Sequence, residues 1–190
     1  MLQINIDDDL ELRQLEILHA EALFALVDTN RAHLREWLPW VDSTQGVKDT
    51  RDFIQHCLDQ SEADDGCSCG VWYRGALVGV IGVHYIDRAH RKSSLGYWLG
   101  AAGQGKGIMT RATRGMIDHL IGVEDVNRVE IGSAVENHKS RAVLTRLGAN
   151  EEGIRRQTEW LYDHFVDHMI YSVLAEDWTI HADRAATGSK

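Results

Sequence analysis

The most restrictive feature of the sequence is the stretch Gly96–Thr113, GYWLGAAGQGKGIMTRAT, where a strand pattern runs into a glycine-rich turn and then into a helix. Gly103, Gly105 and Gly107 free the backbone from the limits that a Cβ atom imposes and permit close approach to a ligand. Apolar residues then recur at helical spacing from Met109, so the first helical N–H groups lack internal partners. Such a helix start favours a bound phosphate. The stretch therefore predicts an anion-binding loop.

Two common nucleotide motifs fit this loop only in part. Gly100-x4-Gly105-Lys106 matches most of the P-loop of nucleoside triphosphatases, but Gly107 stands where a Ser or Thr would hold Mg²⁺. The dinucleotide fingerprint G-x-G-x-x-G fits Gly105 and Gly107 and then meets Thr110. A glycine-rich corner between strand and helix, without any ligand, is the structural alternative.

A third motif fits better. The segment Gln104–Met109, QGKGIM, resembles the pyrophosphate loop of the GCN5-related N-acetyltransferases (GNATs), written (Arg/Gln)-x-x-Gly-x-(Gly/Ala). Gln104 and Gly107 occupy its fixed positions, whereas Met109 replaces the last small residue, which in that family leaves room for the cofactor. The resemblance implies an acetyl-CoA site at this loop.

Composition limits the classes of partner. With 190 residues and 44% hydrophobic content, the chain is expected to form a single domain over residues 1–180, followed by a polar tail over residues 181–190. A formal net charge of −9 argues against nucleic acid or an anionic membrane as partner and is compatible with a cationic substrate such as an amine. The start of the chain has neither a basic nor an apolar segment, so a cytoplasmic protein is expected.

No metal site is predicted. The three cysteines, Cys57, Cys67 and Cys69, are odd in number and suit a reducing compartment. The Cys67-x-Cys69 pair has no second pair to complete a zinc site. His164 and His168 share one face of a predicted strand, again without a third ligand.

The order of predicted elements matches the fold of the same family. A strand over Leu10–Leu15 precedes three helices, of which the second has Asn30 as its candidate cap. A three-strand meander, the phosphate helix, a fifth strand, a helix from Asn137 to Gly148 and a final hairpin follow. The resemblance thus implies an α/β fold (α+β), with a mixed central sheet of about seven strands flanked by helices.

The resemblance extends to one branch of the family. The segments HLREWLPWVD, NRVEIGSAVENHKSRAVLTRLGA and EWLYDHFVDHMIYSVL resemble the Rim-type ribosomal-protein serine/alanine N-terminal acetyltransferases. This implies direct transfer of acetyl from acetyl-CoA to a primary amine in a ternary complex. The acceptor so implied is the N-terminal α-amino group of a protein, of the ribosomal-protein type. A small amine such as a polyamine or an aminoglycoside is the first alternative. A non-catalytic acyl-CoA-binding module is the second, because Leu144 replaces a tyrosine acid found in many members. Related enzymes are often homodimers.

The resemblance assigns the cofactor to three parts of the chain. The strand before the loop pairs its backbone with the pantetheine arm, the loop amides hold the pyrophosphate, and the helix after the fifth strand contacts the arm and the adenosine-side phosphate. Lys139 and Arg141 on that helix are equally compatible with a solvated face. The cofactor-binding residues so implied are Trp98, Leu99, Gly100, Gln104, Gly105, Lys106, Gly107, Ile108, Met109, Thr110, Asn137 and Arg141.

The Rim-type resemblance also implies the catalytic residues, with Ser140 as acid for the leaving thiolate and Glu159 as base. An α-amino group, with a pKa of about 8, needs less help to lose its proton than a lysine, at about 10.4. A carboxylate is a poor match for direct removal of that proton, so Glu159 is expected to act through water or after burial. The structural alternatives are a helix cap for Ser140 and a salt bridge between Glu159 and Arg155.

Two further groups complete the predicted site. Trp37 and Trp40 flank Pro39, the one proline of the chain, and form either a wall that faces the substrate or a structural corner of the core. The oxyanion of the tetrahedral intermediate needs a donor, and the strand amide near Leu99 or Gly100 is the candidate.

Overall fold

Eight strands in one mixed sheet, with helices on both faces, account for most of residues 2–178, the part of the chain that the computed structural model describes. The strands lie in the order β1-β2-β3-β4-β5-β6-β8-β7. They are β1 (Gln3–Asn5), β2 (Leu10–Gln14), β3 (Cys67–Tyr73), β4 (Ala76–Asp87), β5 (Lys92–Leu99), β6 (Arg128–Ala134), β7 (Asn150–Leu161) and β8 (His164–Leu174). The helices are α1 (Ala20–Thr29), α2 (Arg31–Arg35), α3 (Val47–Glu62), α4 (Ile108–Gly122) and α5 (His138–Leu147).

The sequence analysis did not predict strand β1, and one predicted segment lies outside the residues that the structure describes. Strand β1 has only three residues, too few for an alternating pattern to be visible in the sequence. The predicted polar tail, residues 181–190, lies outside the described residues. Within residues 2–178, no helix combines the length and the apolar character needed to cross a bilayer.

The two faces of the sheet carry different helices. Helices α4 and α5 cover the face on which Leu95, Ile131 and Tyr171 point into the main core. Helices α1 and α3 cover the opposite face, where they pack on Val80 and Trp98. Because side chains alternate along a strand, odd-numbered residues of β5, β6 and β8 face α4 and α5, and even-numbered ones face the other side. We call these the α4/α5 face and the α1/α3 face.

Local turn and cap chemistry explains several element boundaries. The turn between β3 and β4 has positive φ at Arg74 (51°) and Gly75 (78°), as a two-residue hairpin turn requires. Helix α5 begins where the Asn137 side chain accepts the Ser140 amide at 3.0 Å. Asn30 does not cap α2 as predicted. Its Oδ1 accepts the Ala101 amide at 2.8 Å instead, which connects the end of α1 to the turn after β5.

Strands β5 and β6 form the parallel contact of the sheet, and they diverge after a short pairing. Their register covers only three pairs, ending with Ser94 opposite Glu130. Beyond that point β5 stays bonded to β4, where the Gly100 amide donates to the Val78 carbonyl at 2.9 Å. Hydrogen bonding alternates along an antiparallel pair, so the backbone groups of Tyr97 and Leu99 face away from β4. The divergence leaves a gap in the sheet that begins beside Gly96 of β5 and Gly132 of β6.

The β7–β8 hairpin is irregular where the site is predicted. Between Arg155 and Glu159, three residues of β7 face only Asp167 of β8, and Gln157 has a φ of 50°. Arg155 and Glu159 lie opposite His168 and Val166, so they remain on one face of the hairpin, but they do not form the Glu159–Arg155 salt bridge that the sequence offered as an alternative. Arg155 pairs with Glu130 of β6 at 2.8 Å instead.

A second ion pair anchors the same hairpin and gives a stability prediction. Glu152 of β7 accepts two hydrogen bonds of 2.6 Å from Arg128 of β6 and one of 2.7 Å from Ser172 of β8. The bonds from Arg128, followed by that from Ser172, lower the pKa of Glu152 from 4.5 to about 2. A lowered folded-state pKa means that the charged form stabilises the fold above the unfolded-state pKa. This stability is lost as the pH falls from about 4.5 through about 2.

We expect Glu152→Gln to lower the free energy of unfolding at pH 7, and the difference from wild type to shrink steadily between pH 4.5 and pH 2. Urea unfolding at a series of pH values measures this difference. Asp52→Asn is the control, because it removes an exposed pair with Lys48 on α3 and such pairs contribute little. A difference that stays constant as the medium is acidified contradicts the assignment to the Glu152 carboxylate.

Candidate active site

An open cleft of about 1320 Å³ follows the free edge of β5. One wall comes from the segment His33–Leu38, and the opposite wall comes from α5 and the residues before it, Glu136–Arg146. Residues Tyr97–Leu99 of β5 and the glycine loop Gly103–Arg111 form the remainder of its lining. The predicted loop and the predicted pantetheine strand therefore belong to one site.

The glycine loop has the geometry of an anion site. Helix α4 starts after Gly107, whose φ is 69°, and no side chain caps it. The first intrahelical bond runs from the Arg111 amide to the Gly107 carbonyl at 3.1 Å, so the amides of Ile108, Met109 and Thr110 have no partner within the helix. These free donors, at the positive end of α4, fit the diphosphate of an acyl-CoA.

Open space in front of the loop supports the same fit. A Cβ atom built on Gly105 or Gly107 meets nothing within 4 Å, and both glycines line the cleft. Met109, the departure from the family motif, is only 6% exposed and packs into the main core, so its large side chain leaves the helix start accessible. Lys106 lines the cleft and adds positive charge.

Gln104 connects the two walls of the cleft. Its amide nitrogen lies 2.8 Å from Nε2 of His33 on α2, and its Oε1 accepts from Nζ of Lys139 on α5 at 3.0 Å. The motif glutamine thus holds α2, the loop and α5 together at the cleft. No local pattern in the sequence indicates His33, because this contact joins residues 71 positions apart.

The edge of β5 offers a backbone donor at the bottom of the cleft. Trp98 and Leu99 line the cleft as predicted, but Gly100 does not. The Gly100 amide already donates its hydrogen bond to the Val78 carbonyl, so it cannot serve as the predicted oxyanion donor. Because bonding alternates along β5, the Leu99 amide faces the gap and remains the candidate.

Ser140 contacts a tyrosine that sequence analysis did not single out. The Tyr97 hydroxyl donates to the Ser140 carbonyl at 3.0 Å, and the Ser140 hydroxyl lies 3.3 Å from the Tyr97 oxygen. Burial raises the pKa of Tyr97 well above its usual range, so this hydroxyl stays protonated at neutral pH. The side chain of Asn137 is the helix cap, so the alternative role of Ser140 as a cap is wrong.

Arg141 does not reach the cleft. Its guanidinium donates to the Tyr171 hydroxyl at 2.9 Å and to the Val135 carbonyl at 3.0 Å, and it is absent from the cleft lining. The predicted contact with an adenosine-side phosphate is therefore corrected, because Arg141 is committed to packing α5 on the sheet. Lys139 lines the cleft and is placed for such a role.

Trp37 and Trp40 have different positions, one at the cleft and one in the core, which are the two alternatives that the sequence left open. Trp37 lines the cleft. Trp40 lies against Trp98, with ring centroids 5.9 Å apart, and packs on the core cluster of Val27 and Leu34. Trp40 is therefore a structural residue that supports the wall from behind.

Glu159 lies on the hairpin, outside the lining of the cleft but close to one of its walls. The Tyr162 hydroxyl at the hairpin turn donates to the carbonyl of Leu38, a lining residue, at 2.7 Å. The carboxylate of Glu159 lies 3.1 Å from Nε2 of His168 on β8, and its side chain is 29% exposed. The hairpin thus carries a partly accessible carboxylate–imidazole pair, and its turn contacts the cleft wall at Leu38.

Comparison with known proteins decides the family. Residues 9–150 match the model of the acetyltransferase (GNAT) domain. The chain belongs to the GNAT acetyltransferase family. The predicted family, and with it the predicted α/β fold, is thereby confirmed.

Individual GNAT relatives extend the similarity over most of the chain. YdaF of Bacillus subtilis (strain 168), whose assignment as a ribosomal N-acetyltransferase is itself provisional, is 34% identical over 94% of this chain and 98% of its own length. The ribosomal-protein-serine acetyltransferase of Escherichia coli (strain K12) is 28% identical over 89% of this chain and 94% of its own. The ribosomal L7/L12 alpha-N-protein acetyltransferase RimL, solved in complex with coenzyme A, superposes with a TM-score of 0.89 at 27% identity. The match covers 93% of this chain and 99% of the RimL chain.

Within this GNAT fold, the structure gathers most of the predicted residues but not all. The residues that share the cleft are Trp37, Trp98, Leu99, Gln104, Gly105, Lys106, Gly107, Ile108, Met109, Thr110, Asn137 and Ser140. Those outside its lining are Trp40, Gly100, Arg141 and Glu159. Leu144, where many GNAT enzymes have a tyrosine, is fully buried in the main core, and Tyr97 of β5 brings a hydroxyl to this region from the sheet.

Proposed function

We propose that this GNAT enzyme transfers the acetyl group of acetyl-CoA to the N-terminal α-amino group of a protein, in particular a ribosomal protein. The observation that carries the proposal is the continuous cleft from the anion loop, along the open edge of β5, to the Trp37 wall and the adjacent hairpin. The similarity to RimL and to the Escherichia coli serine acetyltransferase supports this choice of acceptor.

The donor half of the cleft fits acetyl-CoA. The free amides of Ile108–Thr110 would hold the diphosphate, and the unpaired backbone of β5 at Tyr97 and Leu99 would bond to the amides of the pantetheine arm. The side-chain nitrogen of Asn137, Nδ2, would contact the arm, because its Oδ1 already accepts from the Ser140 amide. An arm laid along β5 brings the thioester to the gap, next to the Leu99 amide.

The acceptor half fits the end of a peptide better than a buried small amine. The cleft is open to solvent along the segment Glu36–Leu38, where Trp37 offers an aromatic wall and Glu36 a carboxylate for a cationic group. An extended chain can leave such a site toward solvent, which a protein substrate requires. Net charge of −9 favours the approach of a cationic N-terminus.

Two residues carry the proposed chemistry. Glu159 serves the deprotonation of the attacking amine, and Ser140 protonates the departing thiolate. The neutral amine attacks the acetyl carbonyl carbon, the N–C bond forms, and the C–S bond breaks with its electron pair on sulfur. The Leu99 amide stabilises the oxyanion between these steps. No covalent enzyme intermediate is needed.

Acetyl transfer assays test the acceptor. Peptides that begin with Ser or Ala are compared with the same peptides blocked at the N-terminus, with a polyamine and with an aminoglycoside. Transfer to free N-termini and loss of transfer on blocking are expected. Turnover confined to the small amines contradicts the N-terminal assignment, and binding of acetyl-CoA without turnover of any amine supports the non-catalytic alternative.

Ser140→Ala should lower kcat by roughly tenfold or less. A thiol with a pKa of about 8.5 leaves tolerably without an acid, so its loss costs less than that of a base. The melting temperature should hardly change, because Asn137 keeps capping α5. Thr145→Ala is the matched control, since that hydroxyl bonds the Arg141 carbonyl on the same helix at 3.2 Å. An unchanged kcat removes Ser140 from the chemistry.

Cellular location and assembly complete the proposal. An acceptor on a ribosomal protein places the enzyme in the cytoplasm, and a homodimer is proposed on the resemblance to related enzymes. Light scattering on the purified protein tests the dimer, which a monomeric mass at micromolar concentration contradicts.

A further inference from the structure

Two imidazoles lie against the walls of the gap between β5 and β6, on the α1/α3 face. Each covers a glycine. A Cβ atom on Gly96 of β5 would lie 2.7 Å from Nε2 of His84, and one on Gly132 of β6 would lie 3.3 Å from Nδ1 of His168. Continued past Ser94 and Glu130, the β5–β6 register would place these two glycines opposite each other. The gap is therefore bordered by histidines on both sides.

Only His168 has a carboxylate partner. Its Nε2 lies 3.1 Å from Glu159, and its side chain is 20% exposed. His84 contacts the hydroxyl of Ser94 at 3.3 Å instead. Among residues 2–178, Nδ1 of His168 has no hydrogen-bond partner, and it is the nitrogen beside Gly132 at the gap. If Nε2 carries the proton, it donates to Glu159, and Nδ1 beside Gly132 keeps its lone pair free.

We infer that His168 is the base of the reaction and that Glu159 orients it. This inference rests on the proposed function and replaces the water or the burial through which Glu159 was expected to act. The amine proton moves to Nδ1 of His168 as the amine nitrogen bonds the acetyl carbon. The C–S electron pair leaves with sulfur, which takes a proton from Ser140, and Ser140 regains one from solvent. The imidazolium then returns its proton to solvent.

The chemistry favours an imidazole over a carboxylate in this place. A base works best when its affinity for protons is close to that of the medium, and an imidazole meets this condition near neutral pH. Glu159 follows the bulge in β7 and reaches His168, and the missing Cβ of Gly132 leaves room for the ring. Both irregularities are explained by the same pair.

Kinetics on the full chain test the inference. His168→Gln should lower kcat/KM for a Ser-initiated peptide by roughly 10²-fold or more, at least as much as Glu159→Gln, with unchanged affinity for acetyl-CoA. The double variant with Glu159→Gln should be no slower than Glu159→Gln alone, because the two side chains act as a unit. His164→Gln is the matched control, since His164 forms a comparable pair with Asp163 at the hairpin tip. The inference is overturned if the loss for His168→Gln is smaller than expected, or if the loss for His84→Gln exceeds that for His168→Gln.

The pH profile provides a readout that a structural role would not move. The charged groups that face His168 from β6 and β7 are Glu159, Arg155 and Glu130, and the last two pair with each other. Because Glu159 acts through His168 in this proposal, both Glu159→Gln and His168→Gln should change the rising limb of kcat/KM relative to wild type. A limb that is identical in all three proteins contradicts the proposed base.

Crowding the ring gives a second variant. Gly132→Ala places a methyl group 3.3 Å from Nδ1 and should lower kcat/KM without unfolding the protein. Gly82→Ala is its control, because there the new methyl group lies equally close, 3.3 Å, to the hydroxyl of Ser68. Equal kinetic losses in the two variants contradict a role for the ring.

One measurement separates this inference from the proposed function. Nitrogen-15 NMR of the imidazoles reports which nitrogen of His168 is protonated, with no need for turnover. The Nε2–H tautomer in wild type, and its loss in Glu159→Gln, is the expected result. An Nδ1–H tautomer overturns the inference even if peptides are acetylated. Failure of every peptide substrate, with the expected tautomer, overturns the proposed acceptor alone.

Discussion

Gly107→Val should raise the dissociation constant for acetyl-CoA by roughly 10²-fold. Valine is disfavoured at a φ of 69°, and its side chain would enter the space in front of the free amides of α4. Loss of one hydrogen bond to a charged group costs about 1.5–3 kcal/mol, which is consistent with this factor. Titration calorimetry on the purified protein measures the constant directly.

Gly75→Val is the control that measures the effect of backbone strain alone. Gly75 has a similar φ, 78°, and a Cβ atom there also meets nothing within 4 Å, but the residue lies in the β3–β4 turn and not in the cleft. This variant should lose stability to a comparable degree and bind acetyl-CoA as wild type does. Equal weakening of binding in both variants would mean that Gly107 acts through the stability of the fold rather than at the loop.

Glu159→Gln should lower kcat by roughly 10²-fold or more, the range expected when the function of a general base is lost. The substitution preserves the shape of the side chain and removes its charge and its ability to hold the His168 N–H as a strong acceptor. Affinity for acetyl-CoA should be unchanged, because Glu159 does not line the cleft. Steady-state kinetics and calorimetry on one preparation give both quantities.

Asp163→Asn is the control for this variant, because Asp163 lies on the same hairpin and pairs with His164 at its tip. It should leave kcat within about twofold of wild type, as most surface substitutions have small effects. If Glu159→Gln keeps wild-type turnover, the hairpin carboxylate has no part in the reaction. If it instead weakens acetyl-CoA binding, the carboxylate acts on the donor side.

The sequence was most informative where backbone chemistry leaves a visible pattern. The glycines of the loop and Asn137 at the start of α5 each meet a particular backbone requirement, so the loop and the helix were both predicted. The GNAT resemblance then ordered the elements. Strand β1 was missed, because its three residues carry no period.

The site was less predictable wherever a contact joins distant parts of the chain or breaks a regular period. The contact between Tyr97 and Ser140 joins residues 43 positions apart, and no local sequence pattern predicts it. The alternative of a Glu159–Arg155 salt bridge failed because each side chain pairs with a residue of another strand, Arg155 with Glu130 and Glu159 with His168. Arg141 was assigned to a phosphate from its place on a helix, but its orientation is set by Tyr171, which the sequence does not relate to it.

The early parting of β5 from β6 has a consequence for how this enzyme can change its targets. In the proposed function the coenzyme is held by the middle of the chain, at α4, whereas the acceptor is met by residues 36–38 and by the β7–β8 hairpin. Donor and recipient are thus handled by separate stretches that meet only at the opening. Exchanging the two outer stretches between relatives should redirect acetylation to new recipients while the hold on the coenzyme stays the same.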